Sequence, residues 1–337
     1  MMNSNKSFSP LGNDLFGNPI IQRPESPVAT KFIMPPFSIL DARSGEWQER
    51  KRAWLAMGIE SEIGRHGKVN NIGDRETWDE SIKDSKAVGS LYTTFNEYDE
   101  EKGKSGNRGD PGTSVFDPVL CELVYRWFCP PRGQVVDPFA GGSVRGIVAS
   151  CLGMKYWGCD LSKNQIEANE KQAEEITHDH RPYWVCGDSM DELDRAPQSD
   201  LIFSCPPYGD LEKYSDDPRD LSNMEWHTFC AAYRRIILRT VKKMKDNSFA
   251  CFVVGDFRDI KGFYRNFPML TTIAFEEQKV HLYNEAILVT SVGTACLRVT
   301  KQFNAGRKLC KTHQNVLVFC KGDPREASRK CKDVVDP

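Results

Sequence analysis

Between residues 114 and 322 short apolar runs alternate with longer amphipathic stretches. Gln134–Val136, Tyr156–Cys159, Tyr183–Cys186, Leu201–Phe203 and Phe249–Val254 have the length and apolar character of buried strands. Helical patterns lie between them. Phe116–Phe128 has an apolar face and is stopped by Pro130-Pro131, which cannot donate to a continuing helix. Ser143–Leu152 reads as a second helix. Ser162-Lys163-Asn164-Gln165 and Ser222-Asn223-Met224-Glu225 both resemble capping boxes and open further helices. The helix opened by Ser222 is long, with Trp226, Phe229, Cys230, Tyr233, Ile237, Val241 and Met244 on one face. Two strand-like runs, around Leu288–Val292 and Val316–Phe319, close the region. Such alternation predicts an α/β fold with a doubly wound, mostly parallel sheet.

The flanks read differently. Residues 1–30 are rich in Asn, Ser, Pro and Gly and are expected to be disordered. Residues 31–65 predict a small extended-plus-helix element, a cap or target-recognition piece, in which Gly45–Leu55 is helical. Residues 66–112 carry Gly103, Gly106, Gly109 and Gly112 and read as a flexible linker or loop. Residues 113–323 form the expected catalytic domain, and 324–337 an expected disordered tail. A length of 337 residues fits about two domains of roughly 150 residues. A hydrophobic content of 39% is low enough to fit partial disorder.

Charge and cysteine usage narrow the classes. The net charge of −2 removes any global electrostatic case for nucleic acid, so such a case must be local. No apolar run reaches the roughly 18 residues of a membrane span. The N-terminus leads into no hydrophobic segment, so a cytoplasmic protein without a signal peptide is expected. The 12 cysteines show no C-x-x-C pair, and several sit in apolar runs as small hydrophobes, so no metal is expected.

Two segments carry chemistry. Leu201-Ile202-Phe203 runs into Ser204-Cys205-Pro206-Pro207-Tyr208. Two prolines fix two φ angles and push the preceding residues towards extended geometry. The result is a stiff turn with free carbonyls beside an aromatic ring, suited to gripping a flat heterocycle. Upstream, Asp137-Pro138-Phe139-Ala140-Gly141-Gly142-Ser143 follows a strand and precedes a helix. Glycine there lets the backbone approach a ligand. The Gly-x-Gly-x-x-Gly fingerprint of nicotinamide binding fails, because Ser143 stands at its third place. Asp160, followed by Leu161, ends the next strand, where a carboxylate can accept ribose hydroxyls. Asp188, followed by Ser189, ends the one after and could accept from an adenine amino group. An ordinary tight turn with capping aspartates accounts for any one of these; three acids on successive strand ends favour a nucleotide-type cofactor.

Together these motifs resemble the S-adenosylmethionine-dependent amino methyltransferases of DNA, which act on adenine N6 or cytosine N4. Phe116-Asp117-Pro118-Val119-Leu120 looks like that family's motif touching the methionine part of the cofactor. Lys311–Phe319 looks like its closing strand, and the segments 36–54 and 214–222 look like phage and prophage members, some of which belong to restriction-modification systems. The resemblance covers about two thirds of the chain. It implies a Rossmann-like class I methyltransferase fold with a final antiparallel hairpin. It also implies S-adenosylmethionine as cofactor, S-adenosylhomocysteine as product and DNA as partner, with a homodimer possible.

The resemblance assigns Ser204, Cys205, Pro206, Pro207 and Tyr208 to catalysis. Hydrogen bonds from the target amino group to the Pro206 carbonyl and a neighbouring side chain would localise its lone pair, and Tyr208 would stack on a flipped base. One position departs from the pattern. Cys205 stands where the family carries Asp, Asn or Ser, and sulfur is a weak acceptor. Either Ser204 substitutes, or the Pro206 carbonyl does more, or the target is a pyrimidine C5 attacked by a Cys205 thiolate. RNA base methyltransferases share the fold and can carry Pro-Pro-Tyr; a degenerate fold kept as a binding module would lack Asp160 or the glycines. For nucleic acid, Arg258 and Lys261 after one strand, and Arg307, Lys308, Lys311 and His313 before the last, are the candidate contacts. The cations of the long helix read as a solvated outer face.

Overall fold

The computed structural model describes residues 32–59, 116–177, 180–209, 217–292 and 295–331. The expected disordered N-terminus and the 66–112 linker lie outside these residues. The chain divides into two compact units, residues 1–36 with 333–337, and residues 37–332. Everything below concerns the second.

Eight strands form one sheet: β1 (Ile39–Asp41), β2 (Gln134–Asp137), β3 (Lys155–Asp160), β4 (Tyr183–Cys186), β5 (Ser199–Ser204), β6 (Met244–Val254), β7 (Val280–Val289) and β8 (His313–Lys321). Their order is β1-β7-β8-β6-β5-β2-β3-β4. Pairings among β2 to β6 are parallel, while β8 runs antiparallel to both β6 and β7. The fold is therefore the doubly wound, mostly parallel α/β sheet with a final antiparallel hairpin. The central strands are covered on both faces, and Val135, Val136, Leu201, Ile202, Phe203 and Ala250 to Val254 are all fully buried, as parallel sheets require.

The helices are α1 (Gly45–Ala56), α2 (Pro118–Phe128), α3 (Val144–Cys151), α4 (Lys163–Ile176), α5 (Ser189–Glu192), α6 (Trp226–Lys243), α7 (Phe267–Glu276), α8 (Ala295–Gly306) and α9 (Pro324–Lys330). Asp117 caps α2 by accepting from Val119 N, with Pro118 at the first position where no donor is needed. Residues 39–56 join the main sheet. β1 pairs parallel with β7, Ile39 opposite Ile287. α1 docks on α2 through a bidentate pair from Arg50 to Glu122 at 2.6 and 2.7 Å and through Trp54 Nε1 to Glu122 at 2.8 Å.

Several boundaries differ from the sequence reading, each for a physical reason. The long helix does not start at Ser222. Asp220 captures the Ser222 amide and hydroxyl, a short 3-10 turn follows over Leu221–Asn223, and α6 begins at Trp226. Ser162 does cap α4, accepting from Gln165 N, but Gln165 turns its amide to Asn169 instead of closing the box. β7 ends at Val289, before Val292. Residues 324–330, expected as a tail, form α9: Asp323 accepts from Arg325 N and Glu326 N, and Lys330 Nζ donates to the Asp246 and Asn247 carbonyls.

Candidate functional site

The order of the sheet reverses between β2 and β5, since the chain winds one way through β3 and β4 and the other way through β6. Ligands of open α/β sheets bind at such a switch, outside the carboxyl ends of the strands. Here both motif segments leave the sheet side by side. β2 and β5 pair with Val136 opposite Ile202, which brings Asp137 and Ser204 to the same edge.

One buried network ties the two together. Asp137 is fully buried. It accepts from Arg145 Nε at 2.6 Å, Tyr156 Oη at 2.7 Å, Ser204 Oγ at 2.6 Å and Phe139 N at 3.1 Å. The Arg145 guanidinium also donates to the carbonyls of Phe139 and Ala140 and lies 4.5 Å from the Phe116 ring centre. Burial opposes the Arg145 charge, but Asp137 above all outweighs it and raises the pKa beyond the ordinary arginine value. Asp137 and Ser204 therefore face inward as a clamp between the two loops. The alternative in which the Ser204 hydroxyl accepts from a substrate amino group is not met, because that hydroxyl is fully buried and donates to Asp137.

The Gly141 turn is held from both sides. Its amide donates to Asp160 Oδ2 at 2.9 Å, and its carbonyl accepts from Asn169 Nδ2 at 2.8 Å. Gly141 has φ +51°, a region that favours glycine. Asp160 is half-buried and also accepts from Ser162 N. Ser143 makes no side-chain cap at the start of α3; its hydroxyl goes to Gln172. Asp188 Oδ1 caps α5 through Met190 N, and among the described residues no hydrogen bond engages Oδ2. Ser189 Oγ donates to the Pro138 carbonyl, which binds the β4 end to the β2 loop. Leu161 is half-buried beside Asp160, and Phe116 is half-buried against Phe203, ring centres 5.7 Å apart. Asp117 serves α2 as cap and also receives Trp47 Nε1 at 3.2 Å and Lys51 Nζ at 3.1 Å.

The Pro-Pro turn sits on an aromatic bed. Pro206 is buried and Cys205, Pro207 and Tyr208 are half-buried. The Tyr208 ring lies against Phe257 and edge-on to Phe267, and its hydroxyl accepts from Gln314 Nε2 at 2.8 Å. The Cys205 Sγ is 3.9 Å from the same hydroxyl. Gly209, at φ +56°, follows Tyr208, and a side-chain carbon there would meet Phe257 at 3.1 Å.

The two basic clusters come together at the edge. Lys308 lies across Gly262, where an added methyl would meet Nζ at 2.6 Å. Arg258 stacks on Tyr264 at 3.9 Å and donates to the Gly262 carbonyl. Lys261 and Arg307 are exposed. His313 is half-buried; burial first, then Lys311, lowers its pKa below the ordinary imidazole value. Burial likewise lowers that of Lys311, which donates to Asn315. Two cations of α6 meet acids, Arg234 with Glu277 and Arg239 with Asp194 at 2.6 Å.

Arg145, Asn169 and Gln314 were not singled out in the sequence. The available signals were an arginine inside an otherwise apolar helix and polar residues opening an apolar strand. Cysteines elsewhere are quiet: burial raises Cys121, Cys129 and Cys251 well above the ordinary thiol value and pushes Cys159 up to about 12. Among the described residues no group of three His, Cys, Asp or Glu side chains is placed to hold a metal, and no helix is long and apolar enough to cross a membrane.

No protein-family model matches the chain, and no curated protein does. Among solved structures it is similar to TrmN from Thermus thermophilus, with 15% identity and a TM-score of 0.43 over 61% of this chain and 49% of that one. It is similar also to a TehB-like SAM-dependent methyltransferase from Corynebacterium glutamicum (14% identity, TM-score 0.38, 73% of this chain and 97% of that one). A third is the magnesium protoporphyrin IX methyltransferase of Synechocystis, solved with bound SAM (10%, 0.39, 75% and 100%). The chain spans about half the length of the Thermus protein. These likenesses are distant, so a functional reading rests on the site's own residues.

Proposed function

We propose that the protein is an S-adenosylmethionine-dependent methyltransferase acting on an exocyclic amino group of a flipped DNA base, adenine N6 or cytosine N4. The observation that carries this reading is the meeting of the Gly141 turn and the Pro206-Pro207-Tyr208 turn at the switch point, locked by Asp137.

The donor set fits the cofactor. Gly141 and Gly142 are half-buried in a turn that carries no side chains there, Asp160 offers a carboxylate at the end of β3 for ribose hydroxyls, and Asp188 has a second oxygen for an adenine amino group. Phe116, held over Arg145, borders the same edge. When bound, the cofactor supplies an electrophilic methyl group on a sulfonium. The chain's own part is positioning. The Pro206 carbonyl accepts from the target amino group, Tyr208 offers a face for the base, and the aromatic bed with Gln314 fixes that ring before substrate arrives. With Ser204 turned inward, the acceptor role falls on the Pro206 carbonyl.

A second reading keeps Cys205, half-buried beside Tyr208, as nucleophile towards a pyrimidine C5. Mass spectrometry of nucleosides from DNA and RNA of expressing cells decides between them. The amino reading expects N6-methyladenine or N4-methylcytosine in DNA, lost in Asp160→Ala and kept in Cys205→Ser. Tyr208→Ala should weaken transfer by roughly 5- to 150-fold, the stacking value of about 1–3 kcal/mol. A 5-methylpyrimidine that vanishes in Cys205→Ser, or modification found in RNA alone, would overturn it.

A further inference from the structure

The segment from Phe257 to Arg265, directly after β6, is a compact hairpin whose tip serves nothing inside the fold. Arg258 bridges to Tyr264, Asp259 N donates to the Phe263 carbonyl, Gly262 N to the Asp259 carbonyl, and Arg265 N to the Phe257 carbonyl. The Asp259 carboxylate is turned into the hairpin and accepts from Phe263 N at 2.9 Å. Gly262, at φ +91°, makes the turn. This well-bonded frame holds Ile260 at 94% exposure and Phe263 at 71%, with Leu309 at 70% nearby in the chain segment that brings Lys308 across Gly262. Exposed apolar side chains grouped on one tip and rimmed by polar residues mark an interaction site.

Two facts choose the partner. The tip is flanked by cations: Lys261 within it, Lys308 lying over it, and Arg307 beside Lys308. An apolar point ringed by positive charge fits a polyanion with an apolar interior, which is a nucleic acid duplex. The hairpin also stands on the target side of the site. Its first residue, Phe257, packs on the Tyr208 ring, and Arg265, which closes it, lies 4.8 Å from the Trp226 ring in the same aromatic bed.

We propose that this hairpin is a strand-opening wedge: Ile260 and Phe263 enter the base stack beside the target, while Lys261, Arg307 and Lys308 grip the flanking phosphates. The proposal rests on the reading of the site as a DNA base methyltransferase. It supplies what that reading needs, since a base inside a duplex cannot reach a pocket at a sheet edge until it is unstacked. Apolar wedges inserted between base steps are a known way to unstack them.

The test uses the full chain and a short fluorescein-labelled mixed-sequence DNA duplex, either fully paired or with a central mismatch. A wedge meets a smaller unstacking cost at the mismatch, so the protein should bind that duplex about tenfold more tightly. Ile260→Ser/Phe263→Ser should abolish this preference while keeping salt-dependent binding of the paired duplex. Both side chains are exposed, so the melting temperature should not move. Lys261→Ala/Lys308→Ala should weaken both duplexes together and leave their ratio intact. An unchanged ratio in the serine variant overturns the wedge, as does a tip that binds anionic vesicles and neither duplex. Transfer of labelled methyl to DNA, measured in parallel, separates the two claims. Transfer with no mismatch preference removes the wedge alone; preference without transfer removes the methyltransferase reading and leaves a DNA-opening surface.

Discussion

Asp137 carries more of this site than its neighbours in the motif, and it does so from a position solvent never reaches. Its carboxylate joins α3, β3 and β5 through Arg145, Tyr156 and Ser204. Removing one member of a buried ion pair leaves the other charge without compensation, which costs about 3–5 kcal/mol. Arg145→Met should therefore lower the unfolding free energy by that amount in urea titrations. Arg145→Lys should fall between, because an ammonium keeps the charge but cannot also reach the Phe139 and Ala140 carbonyls in one fork. A loss under about 1 kcal/mol in the methionine variant would mean that Tyr156 and Ser204 satisfy the carboxylate alone. The turn itself was legible, since Asp137, Pro138 and the paired glycines stand between an apolar run and a helical pattern, and the structure has that turn between β2 and α3. The division of labour within it was not. Asp137 and Ser204 read as ligand-facing residues, whereas burial turns them towards each other, and only the register of β2 against β5 shows this.

At the scale of elements, α1 and α2 show how the N-terminal piece is fastened. Glu122 is almost fully buried and receives Arg50, Trp54 and Arg126. Burial opposes its charge most, but the hydrogen bonds from Arg50 and then Trp54 outweigh that and leave its pKa below the ordinary value. A carboxyl with a lowered folded pKa contributes stability that is complete above the unfolded value of about 4.3. That stability fades as the pH falls through the lower folded value. Glu122→Gln should cost about 1–3 kcal/mol at neutral pH, and its stability should decline less steeply than the parent's below about pH 4.3. Parallel declines in urea midpoints would show that the cluster is not the source. The sequence placed the Gly45–Leu55 helix in a cap or target-recognition piece and left its docking partner unnamed. The partners of Trp47, Arg50 and Trp54 lie about 70 residues away across the 66–112 stretch, a separation that no local pattern encodes. Helix α7 was missed for a related reason: Phe267–Glu276 is apolar on more than one side, so periodicity does not distinguish it from a strand.

Across the whole molecule, strand order is what the sequence could state only as a class. Alternating runs require a doubly wound sheet, but the placement of β8 between β6 and β7 comes from long-range pairing. That placement brings Gln314 to Tyr208 and carries Lys308 to the β6 hairpin. It also redistributes charge. A net charge of −2 hides a sorted surface, in which Arg234 and Arg239 of α6 pair with Glu277 and Asp194, and Lys245 with Asp200. His313 and Lys311 are shifted towards their neutral forms by burial. Lys261, Arg307 and Lys308, with Arg258 behind them, offer charge at the carboxyl edge. Three or four phosphates neutralised by these residues predict a slope of roughly −3 to −4 for log K against log salt. Fluorescence anisotropy of duplex binding across a salt series measures it, and Lys261→Ala/Lys308→Ala should reduce the slope by about 2. A slope on the order of −10 would require a broad basic face, which would place the nucleic acid away from the Pro-Pro turn. A shallow slope that the double variant flattens ties the polyanion to the same edge as Tyr208, where a flipped base would have to arrive.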